Sequence, residues 1–372
     1  MNEDLERSEY LRLRNIIYKG KDIEPGLLPP GSKTISEEDA ERIYESNTSW
    51  SQSPNIAGFG AGPRINDDLD ATEEPGEWVL RVYVKEVFDP PSENPFPVPE
   101  KIVVPSVGFK RDEFFLQEVE IGDLRLIVRP KLDCPKAQTD PWAAHRNPLG
   151  PGTFIGIIDP ISYSGTLGCF VKSTVGPAKK YLLSNSHVIA NYGKAAQGTV
   201  VNQPALWTNY GVAELSNAYP VEAGKPSQID AAVAEMFSDI TFANTFLNLG
   251  AINGVSNKLY EGQEVIKSGA TSEITCGQVL ETDAIVIFDW PDQIGFGKPT
   301  HFENQILVKS SSQNEPFSQA GDSGSLLMTR TLQALGLLMG ETDLEGHKKP
   351  KHPVSVCNNI KIVLEKMKLE LL

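Results

Sequence analysis

The stretch QAGDSGSLLM, residues 319–328, places a Gly-Asp-Ser-Gly run directly before a short apolar segment. Gly, Asp and Ser favour tight turns, because Gly allows a positive φ and the short polar side chains bond the nearby backbone. The run therefore fits two interpretations: a plain turn that leads into a strand, or a turn that presents Ser323 as a nucleophile. The tetrapeptide alone does not separate them, so the remaining sequence has to decide.

The overall charge limits the kinds of partner that the chain can bind. The 372 residues carry 34 basic and 49 acidic side chains, a net charge of −15. Because phosphate backbones and anionic membranes bind clustered Lys and Arg, we expect neither nucleic acid nor a membrane as a partner. The N-terminal residues MNEDLERSEYLRLRN contain no apolar run, so the sequence predicts no secretory signal and a cytoplasmic protein.

The four cysteines are widely scattered and form no CxxC pair; they are Cys134, Cys169, Cys276 and Cys357. This spacing predicts reduced thiols rather than a zinc site or a disulfide framework. We therefore expect no metal and no cofactor. Cys169, in TLGCFV, is predicted to be a core residue, because nothing nearby in the sequence would lower its pKa and make it a nucleophile.

The N-terminal third changes from helical to strand patterns. Tyr10, Leu13 and Ile17 follow an i, i+3, i+7 spacing, which predicts one face of a helix. Ser36, three residues before Asp39, predicts the start of a second helix. The glycine-rich GFGAG segment after it fits either a strand or a turn. From residue 78 onward, WVLRVYVKEV alternates with period two, and three further apolar segments separated by Pro and Gly follow.

The rest of the chain predicts many short strands and one helix. Eleven apolar segments between residues 153 and 345, separated by Gly, Pro and Asn, indicate antiparallel β-barrels or a sandwich. The apolar spacing in the tail predicts a C-terminal helix with Ile360, Val363, Leu364 and Met367 on one face. We divide the chain into a helical or extended segment 1–56, a small α+β domain 57–130, a Pro-rich linker 131–152 and a domain 153–372 that ends in the helix.

Only one of the five histidines stands where a catalytic base would be expected. His187 lies at the end of the apolar segment YLLSNSHVIA, where a rigid strand can present a side chain to a cleft. The other four lie in the predicted linker, in a polar loop or before a strand; they are His145, His301, His347 and His352. A structural role for His187 remains open from its local sequence alone.

Asp230 is the candidate acid that would orient this base. It begins the apolar segment DAAVAEM, where a carboxylate is costly unless a partner such as an imidazole N–H bonds it. Asp159 and Asp239 remain alternatives. The order His187, Asp230, Ser323 has gaps of 43 and 93 residues. Those gaps are close to the roughly 45 and 93 residues that separate the same groups in double-barrel proteases.

These three motifs resemble those of the trypsin/chymotrypsin-like serine peptidase superfamily. The segments GTLGCFV, YLLSNSHVIA, IDAAVA, SGATSEITCGQV and FSQAGDSGSLL are similar to the narrow-leaf-type branch of bacterial and plant proteases. The resemblance covers residues 57–365 and leaves the first fifty residues outside. It implies an all-β double β-barrel (chymotrypsin-like) peptidase domain with a C-terminal helix, preceded by a smaller N-terminal α+β domain.

The resemblance also implies roles for individual residues. Ser323 would be the nucleophile, His187 the general base and then acid, and Asp230 the group that orients the imidazole. The backbone N–H groups of Gly321 and Ser323 would form the oxyanion hole. Segment 268–279 would be a structural hairpin that supports the substrate cleft.

The sequence departs from the family pattern at three places. Val188 follows His187 where secreted animal enzymes have a disulfide-forming cysteine, in agreement with a reducing compartment. No Ile-Val-Gly-Gly start stands near residues 150–155, so pairing of Asp322 with a freed N-terminus is not expected and its role stays open. Phe317 stands where trypsin has an acid at the base of the substrate pocket, which favours an apolar or small residue before the cleaved bond.

Two functions from different classes follow. The first is a serine endopeptidase that acts on protein or peptide substrates and is regulated by its N-terminal region or by a protein partner. The second is a latent or inactive protease-fold protein that binds or scaffolds a partner. An esterase is disfavoured, because no glycine stands two residues after Ser323. The sequence leaves a homo-oligomer open.

Overall fold

Strands make up most of the regular secondary structure in the computed structural model of this protein. The structure describes residues 3–30, 32–66, 77–88, 91–104, 108–126, 147–158, 164–177, 179–205, 210–222, 224–288, 299–312, 315–342 and 353–372. The helices of these residues are α1 Glu3–Lys19, α2 Glu37–Ser51, α3 Ser186–Ile189 and α4 Ile360–Met367. The first ten strands are β1 Ile56–Pro63, β2 Trp78–Val84, β3 Lys101–Val103, β4 Glu113–Glu120, β5 Leu124–Leu126, β6 Phe154–Ile157, β7 Ser164–Thr166, β8 Cys169–Ser173, β9 Lys180–Ser184 and β10 Val200–Asn202. The others are β11 Gly211–Ala218, β12 Ala232–Met236, β13 Thr245–Phe246, β14 Gly250–Ala251, β15 Glu264–Gly269, β16 Glu273–Phe288, β17 Thr300–Ser310, β18 Leu326–Thr329, β19 Ala334–Thr342, β20 Val354–Asn359 and β21 Leu369–Leu371.

The chain divides into two units. Unit 1 contains residues 1–124, 283–287 and 343–352, and unit 2 contains 125–282, 288–342 and 353–372. Residues 127–146 lie outside the described residues, so most of the predicted linker 131–152 stays a prediction. In the described part of the chain, no helix is long and apolar enough to cross a membrane.

In unit 1, two helices cover a sheet. Strands β1, β2, β4 and β3 pair in that order, and residues 283–287 of β16 extend the sheet beside β1. The predicted helix face of Tyr10, Leu13 and Ile17 is confirmed, since all three are buried in one apolar cluster with the strands. The segments predicted as 1–56 and 57–130 therefore contribute to the same core. The predicted start of α2 is also confirmed, because the Ser36 hydroxyl accepts the Asp39 N–H at 3.1 Å.

The ambiguous GFGAG segment is strand β1, and its glycine at 58 is required by close packing. A Cβ on Gly58 would lie 2.2 Å from the carbonyl oxygen of Ile285 on the paired strand. Real Cβ atoms do not come that close to a backbone oxygen, so any larger residue would push the two strands apart. The glycine therefore belongs to sheet pairing and not to a phosphate-binding loop.

Unit 2 contains two larger sheet systems. One runs β15-β18-β19-β20-β17-β16, and a further pairing of β15 with β16 closes these six strands into a ring. The second is an eight-stranded sheet with the order β21-β8-β9-β12-β11-β10-β6-β7. In addition, β5 pairs with β19 of the ring. Strands are found in the apolar segments between residues 153 and 345, so the coarse prediction of a mostly β fold is confirmed.

The predicted C-terminal helix is found, but it is shorter than the apolar tail. Its four predicted core residues are all buried in α4. The helix ends at Met367, where Lys368 adopts a left-handed conformation with φ +55° and turns the chain. Residues 369–371 then form β21, which pairs with β8. The tail is therefore a helix followed by an edge strand.

Truncation of one core residue in α1 tests the packing of unit 1. Leu13 is fully buried, and replacing a buried Leu by Ala typically costs about 2–5 kcal/mol through lost burial and the cavity left behind. We expect Leu13→Ala to lower the free energy of unfolding by about that amount, measured by urea denaturation with tryptophan fluorescence. Leu27→Ala is the matched control, because Leu27 is 74% exposed. Equal losses in the two variants would contradict the packing of α1.

Candidate active site

His187 lies on a one-turn helix directly after strand β9, rather than on the simple turn that the sequence suggested. Asn185 caps this helix with an extended backbone, and the His187 side chain is fully buried. Its ring nitrogen Nδ1 hydrogen-bonds the Asp230 carboxylate through Oδ2. Its backbone N–H donates to the other oxygen, Oδ1, at 3.2 Å. Asp230 therefore holds both the ring and the backbone of His187.

The Asp230 backbone is fixed by two buried side-chain amides. The Asn358 Oδ1 atom accepts the Asp230 backbone N–H at 2.7 Å, and the Asn185 Nδ2 group donates to the Asp230 carbonyl at 2.7 Å. These bonds fix the main chain at Asp230, while His187 bonds both carboxylate oxygens, as a buried carboxylate requires. Of the alternative acids, Asp239 is exposed and Asp159 lies outside the described residues.

The contact with Asp230 determines which nitrogen of His187 carries the proton. An ionised carboxylate only accepts hydrogen bonds, so Nδ1 is the donor in this contact, and in the neutral ring Nε2 then presents a lone pair. Among the described residues, Nε2 is buried and has no hydrogen-bond partner. A buried imidazole with an oriented Nδ1 and an unpaired Nε2 is ready to accept a proton from a nearby group.

Ser323 lies in a loop that the neighbouring strand β7 ties down. The Thr166 backbone N–H donates to the Ser323 carbonyl at 2.7 Å, and the Thr166 hydroxyl donates to the Gly321 carbonyl at 2.9 Å. Thr166 in turn accepts the Ser184 hydroxyl on its carbonyl at 2.8 Å. One residue of β7 thus connects the Ser323 loop to the strand that precedes His187.

Two glycines allow the Ser323 loop to approach the His187 region closely. A Cβ on Gly165 would lie 2.6 Å from the Ser323 carbonyl oxygen and 2.7 Å from the side chain of Val188, the residue after His187. Gly324 has φ +91°, and a Cβ there would lie 2.2 Å from the Ser184 hydroxyl. Ser323 therefore packs beside the segment that carries the base, at a distance that only glycine permits.

The Ser323 side chain is fully buried in this arrangement. Its hydroxyl donates to the carbonyl of Met339 on β19 at 3.3 Å. The structure thus brings His187 and Asp230 into direct contact and places Ser323 between β7 and β19.

The predicted oxyanion donors lie in a loop whose other N–H groups are in use. The N–H groups of Asp322, Gly324 and Ser325 donate to the carbonyls of Gln319, Leu338 and Asp322, at 2.9, 2.8 and 2.9 Å. Gly321 has φ +103°, a backbone conformation that favours glycine. The assignment of the Gly321 and Ser323 N–H groups to an oxyanion hole stays a prediction.

Asp322, whose role the sequence left open, forms a buried ion pair with Lys267 of β15. The distance between Lys267 Nζ and Asp322 Oδ2 is 3.1 Å, and both side chains are inaccessible to solvent. The carboxylate also accepts the N–H groups of Thr271, Ser272 and Gln319 at 2.9–3.0 Å and the Ser272 hydroxyl. The residue before Ser323 is therefore held by the β15–β16 hairpin, which includes the segment 268–279 predicted as a structural hairpin.

These contacts keep Asp322 ionised. Burial raises its pKa, but the Lys267 charge and the hydrogen bonds from Ser272 and Gln319 outweigh burial and leave the pKa below its usual value. An acid with a depressed folded pKa stabilises the protein above its ordinary pKa of about 4. This stabilisation is lost as the pH falls through the folded pKa.

Phe317 has apolar surroundings and Glu341 has polar ones. Phe317 is buried in an apolar cluster with Val265, Val308 and other residues of the six-stranded ring of β-strands. Its role in a substrate pocket stays a prediction. Glu341, on β19, accepts the Ser318 hydroxyl at 2.9 Å. Burial raises the pKa of Glu341 to about 7, although Ser318 and Arg125 partly oppose this effect.

Sequence reasoning missed Lys267, Asn358 and Glu341. A signal existed for Lys267, because a lysine inside the apolar segment EVIKSGA predicts a buried cation that needs a partner. Asn358 and Glu341 have no comparable local signal. The predicted core position of Cys169 is confirmed, since it is fully buried and burial raises its pKa to about 12.

No protein-family model matches the chain, and no curated protein matches it. Among solved structures, Thermobifida fusca protease A is similar over 60% of this chain and 99% of its own length, with 16% identity and a TM-score of 0.42. Nocardiopsis protease is similar over 60% and 99%, with 18% identity and a TM-score of 0.42. The active form of the Rv3671c protease from M. tuberculosis is similar over 65% and 90%, with 15% identity and a TM-score of 0.35. We therefore base the proposed function on side-chain geometry.

Neutralising Lys267 tests the buried ion pair. Lys267→Met keeps an unbranched apolar stem but leaves the Asp322 carboxylate buried without its cation, which typically costs about 3–5 kcal/mol. We expect a loss of this size in the free energy of unfolding, measured by urea denaturation at neutral pH. The control is Lys225→Met, because that side chain is 68% exposed and surface pairs contribute less than about 1 kcal/mol. A loss no larger than that of the control would show that Lys267 does not support the loop.

Proposed function

We propose that this protein is a serine endopeptidase that hydrolyses peptide bonds of protein substrates through His187, Asp230 and Ser323. The observation that carries the proposal is the buried His187–Asp230 pair, which leaves Nε2 of the imidazole unpaired beside the segment that holds Ser323. A histidine with only a structural role would be expected to have both ring nitrogens bonded, because an unpaired buried polar atom is costly.

Acylation would begin at the Ser323 hydroxyl. Its Oγ atom attacks the carbonyl carbon of the substrate, and its proton passes to Nε2 of His187. Asp230 stabilises the resulting imidazolium through Nδ1. The negative charge on the carbonyl oxygen is bonded by the N–H groups of Gly321 and Ser323. When the carbon–nitrogen bond breaks, the imidazolium gives its proton to the leaving amine, and an acyl-enzyme ester remains.

Deacylation would use the same groups with water as the nucleophile. His187 takes a proton from water, the new carbon–oxygen bond forms and the ester bond to Ser323 breaks. The proton then returns to the serine oxygen, which restores the starting state. No metal or cofactor is needed for either step, in line with the sequence-based expectation.

The burial of Ser323 supports regulated activity. A fully buried nucleophile cannot meet a polypeptide until the segments that cover it move. Regulation by the N-terminal region or by a protein partner is therefore part of the proposal. The same burial favours one alternative, a latent or inactive protease-fold protein that binds or scaffolds a partner.

The closed six-stranded ring supports the proposal of a double β-barrel domain. One barrel would correspond to the ring of β15–β20, and the eight-stranded sheet would supply the other. The narrow-leaf-type branch, the cytoplasmic location and a homo-oligomer belong to the same proposal.

Replacing the nucleophile tests the proposal directly. We expect the wild-type protein to react with a fluorophosphonate and to hydrolyse casein, and Ser323→Ala to lose about 10⁶-fold in kcat because no hydroxyl remains to attack. In-gel labelling and fluorescent casein release measure the two effects. The matched control is Ser325→Ala, two residues away. Labelling that persists in Ser323→Ala would refute Ser323 as the nucleophile.

A comparison of cellular N-termini separates the two candidate functions. New N-termini should appear in cells that express the wild-type protein and be absent with Ser323→Ala. If neither protein generates them, and the purified wild type fails to react with fluorophosphonate with or without a cell extract, the scaffold alternative replaces the peptidase.

A further inference from the structure

The strand beside the nucleophile carries a buried acid that the catalytic steps do not use. Met339, on β19, accepts the Ser323 hydroxyl, and Glu341 lies two residues further along the same strand. On the neighbouring strand β20, the residue paired with Glu341 is Ser355. Glu341 is only 4% exposed, so it is unlike the many acidic residues on the surface.

Buried polar side chains from three segments surround Glu341, and we call this cluster the Glu341 pocket. The Ser318 hydroxyl, from the loop before the nucleophile, donates to Glu341 Oε2 at 2.9 Å. The Ser355 hydroxyl of β20 lies 2.6 Å from that of Ser318 and continues the hydrogen-bonded chain. All three side chains are buried. A buried carboxylate with two hydroxyls beside it is a site that would bind a cation.

The chain itself supplies a cation to this pocket. Arg125, on β5, places Nη2 at 3.5 Å from Glu341 Oε1, and its side chain remains 30% exposed. Strand β5 pairs with β19, so Arg125 lies on an extended segment beside the strand that carries Glu341. Gly340 makes this approach possible, because a Cβ there would lie 2.9 Å from the Arg125 carbonyl oxygen.

We propose that Glu341, with Ser318 and Ser355, forms the subsite that selects a basic side chain of the substrate, and that Arg125 occupies this subsite in the present structure. The identification of the occupant as a substrate rests on the proposed function. An extended peptide that added to β19 in place of β5 would present its own Arg or Lys to Glu341. This selectivity differs from the apolar or small preference that Phe317 suggested.

The chemistry of the pocket favours a cation over a neutral side chain. The raised pKa of Glu341, about 7, shows that burial makes its charged form costly, and the nearby Asp322 charge adds to that cost. Arg125, at 3.5 Å, only partly opposes both effects, and a guanidinium or ammonium group that bonded the carboxylate more closely would oppose them further. A neutral side chain of the same shape would leave the carboxylate without a counter-charge. A hydrogen bond to a charged group contributes about 1.5–3 kcal/mol, so we expect about a tenfold or greater preference for the cation.

Binding to the full-length Ser323→Ala protein tests the subsite without any need for activity. The probes are two peptides of identical sequence, one with a central arginine and the other with citrulline, its neutral isostere. In the double variant Ser323→Ala, Arg125→Ala the pocket is vacated. We expect the arginine peptide to bind the double variant about tenfold more tightly than it binds Ser323→Ala, measured by titration calorimetry. The citrulline peptide should gain little.

Two further variants complete the experiment. Adding Glu341→Gln, which keeps the shape and removes the charge, should abolish the preference for arginine over citrulline. Ser323→Ala, Arg42→Ala is the matched control, because Arg42 is a surface arginine with a 62% exposed side chain and should leave peptide affinity unchanged. Equal binding of the two peptides to the vacated pocket would overturn the proposal, even if the Glu341 variant did not fold.

Cleavage profiling separates this inference from the proposed function. A peptide library digested by the wild-type protein should show Arg or Lys enriched at one fixed position relative to the cut. Cleavage without such enrichment would refute the subsite and leave the peptidase intact. Arginine-selective binding by a protein that cleaves no peptide would refute the peptidase and support the subsite.

Discussion

Contacts to the buried carboxylate of Asp322 hold the loop that carries Ser323 in place. Burying an unpaired carboxylate costs free energy. The loop therefore keeps this conformation only while Lys267 and the surrounding N–H groups bond the Asp322 carboxylate. The four hydrogen bonds to the Asp322 carboxylate and the ion pair with Lys267 fix the position of the residue before Ser323. The orientation of the serine therefore depends on a hairpin more than fifty residues earlier in the chain. Asp230 follows the same rule, since His187 bonds both oxygens of its buried carboxylate and two asparagines hold its backbone.

Close approach is the second constraint, and glycine meets it at the positions that matter most. The Ser323 loop, strand β7 and the end of β9 come together where a single methyl group would collide with a backbone or hydroxyl oxygen. The same condition holds at Gly340, where the absence of a side chain lets β5 lie along β19. The region of the proposed catalytic groups is therefore defined as much by missing side chains as by reactive ones.

Local pattern predicted the elements well, because their signals lie within a few residues of one another. The alternation in WVLRVYVKEV, the Ser36 cap and the spacing in α4 each depend on neighbours along the chain. Pairings between distant segments leave no such signal. A lysine in an apolar strand indicates that a buried acidic partner exists. The sequence contains 49 acidic side chains, and nothing in it identifies Asp322 as that partner. The pairing of β5 with β19 is hidden for the same reason, since its two strands are separated by more than two hundred residues.

The contact between Arg125 and Glu341 has a quantitative consequence, because its two partners belong to one chain. A tethered group competes at an effective concentration fixed by the connecting backbone, which is in the millimolar range for short flexible connections. Dilution of the protein does not weaken such a competitor, and a dilute substrate cannot displace it by mass action alone. A substrate that contacts only the Glu341 subsite would therefore fail to displace Arg125, whereas a substrate that makes further contacts elsewhere would displace it. The internal arginine would thus set a minimum number of contacts that a polypeptide must make before it gains access to the serine.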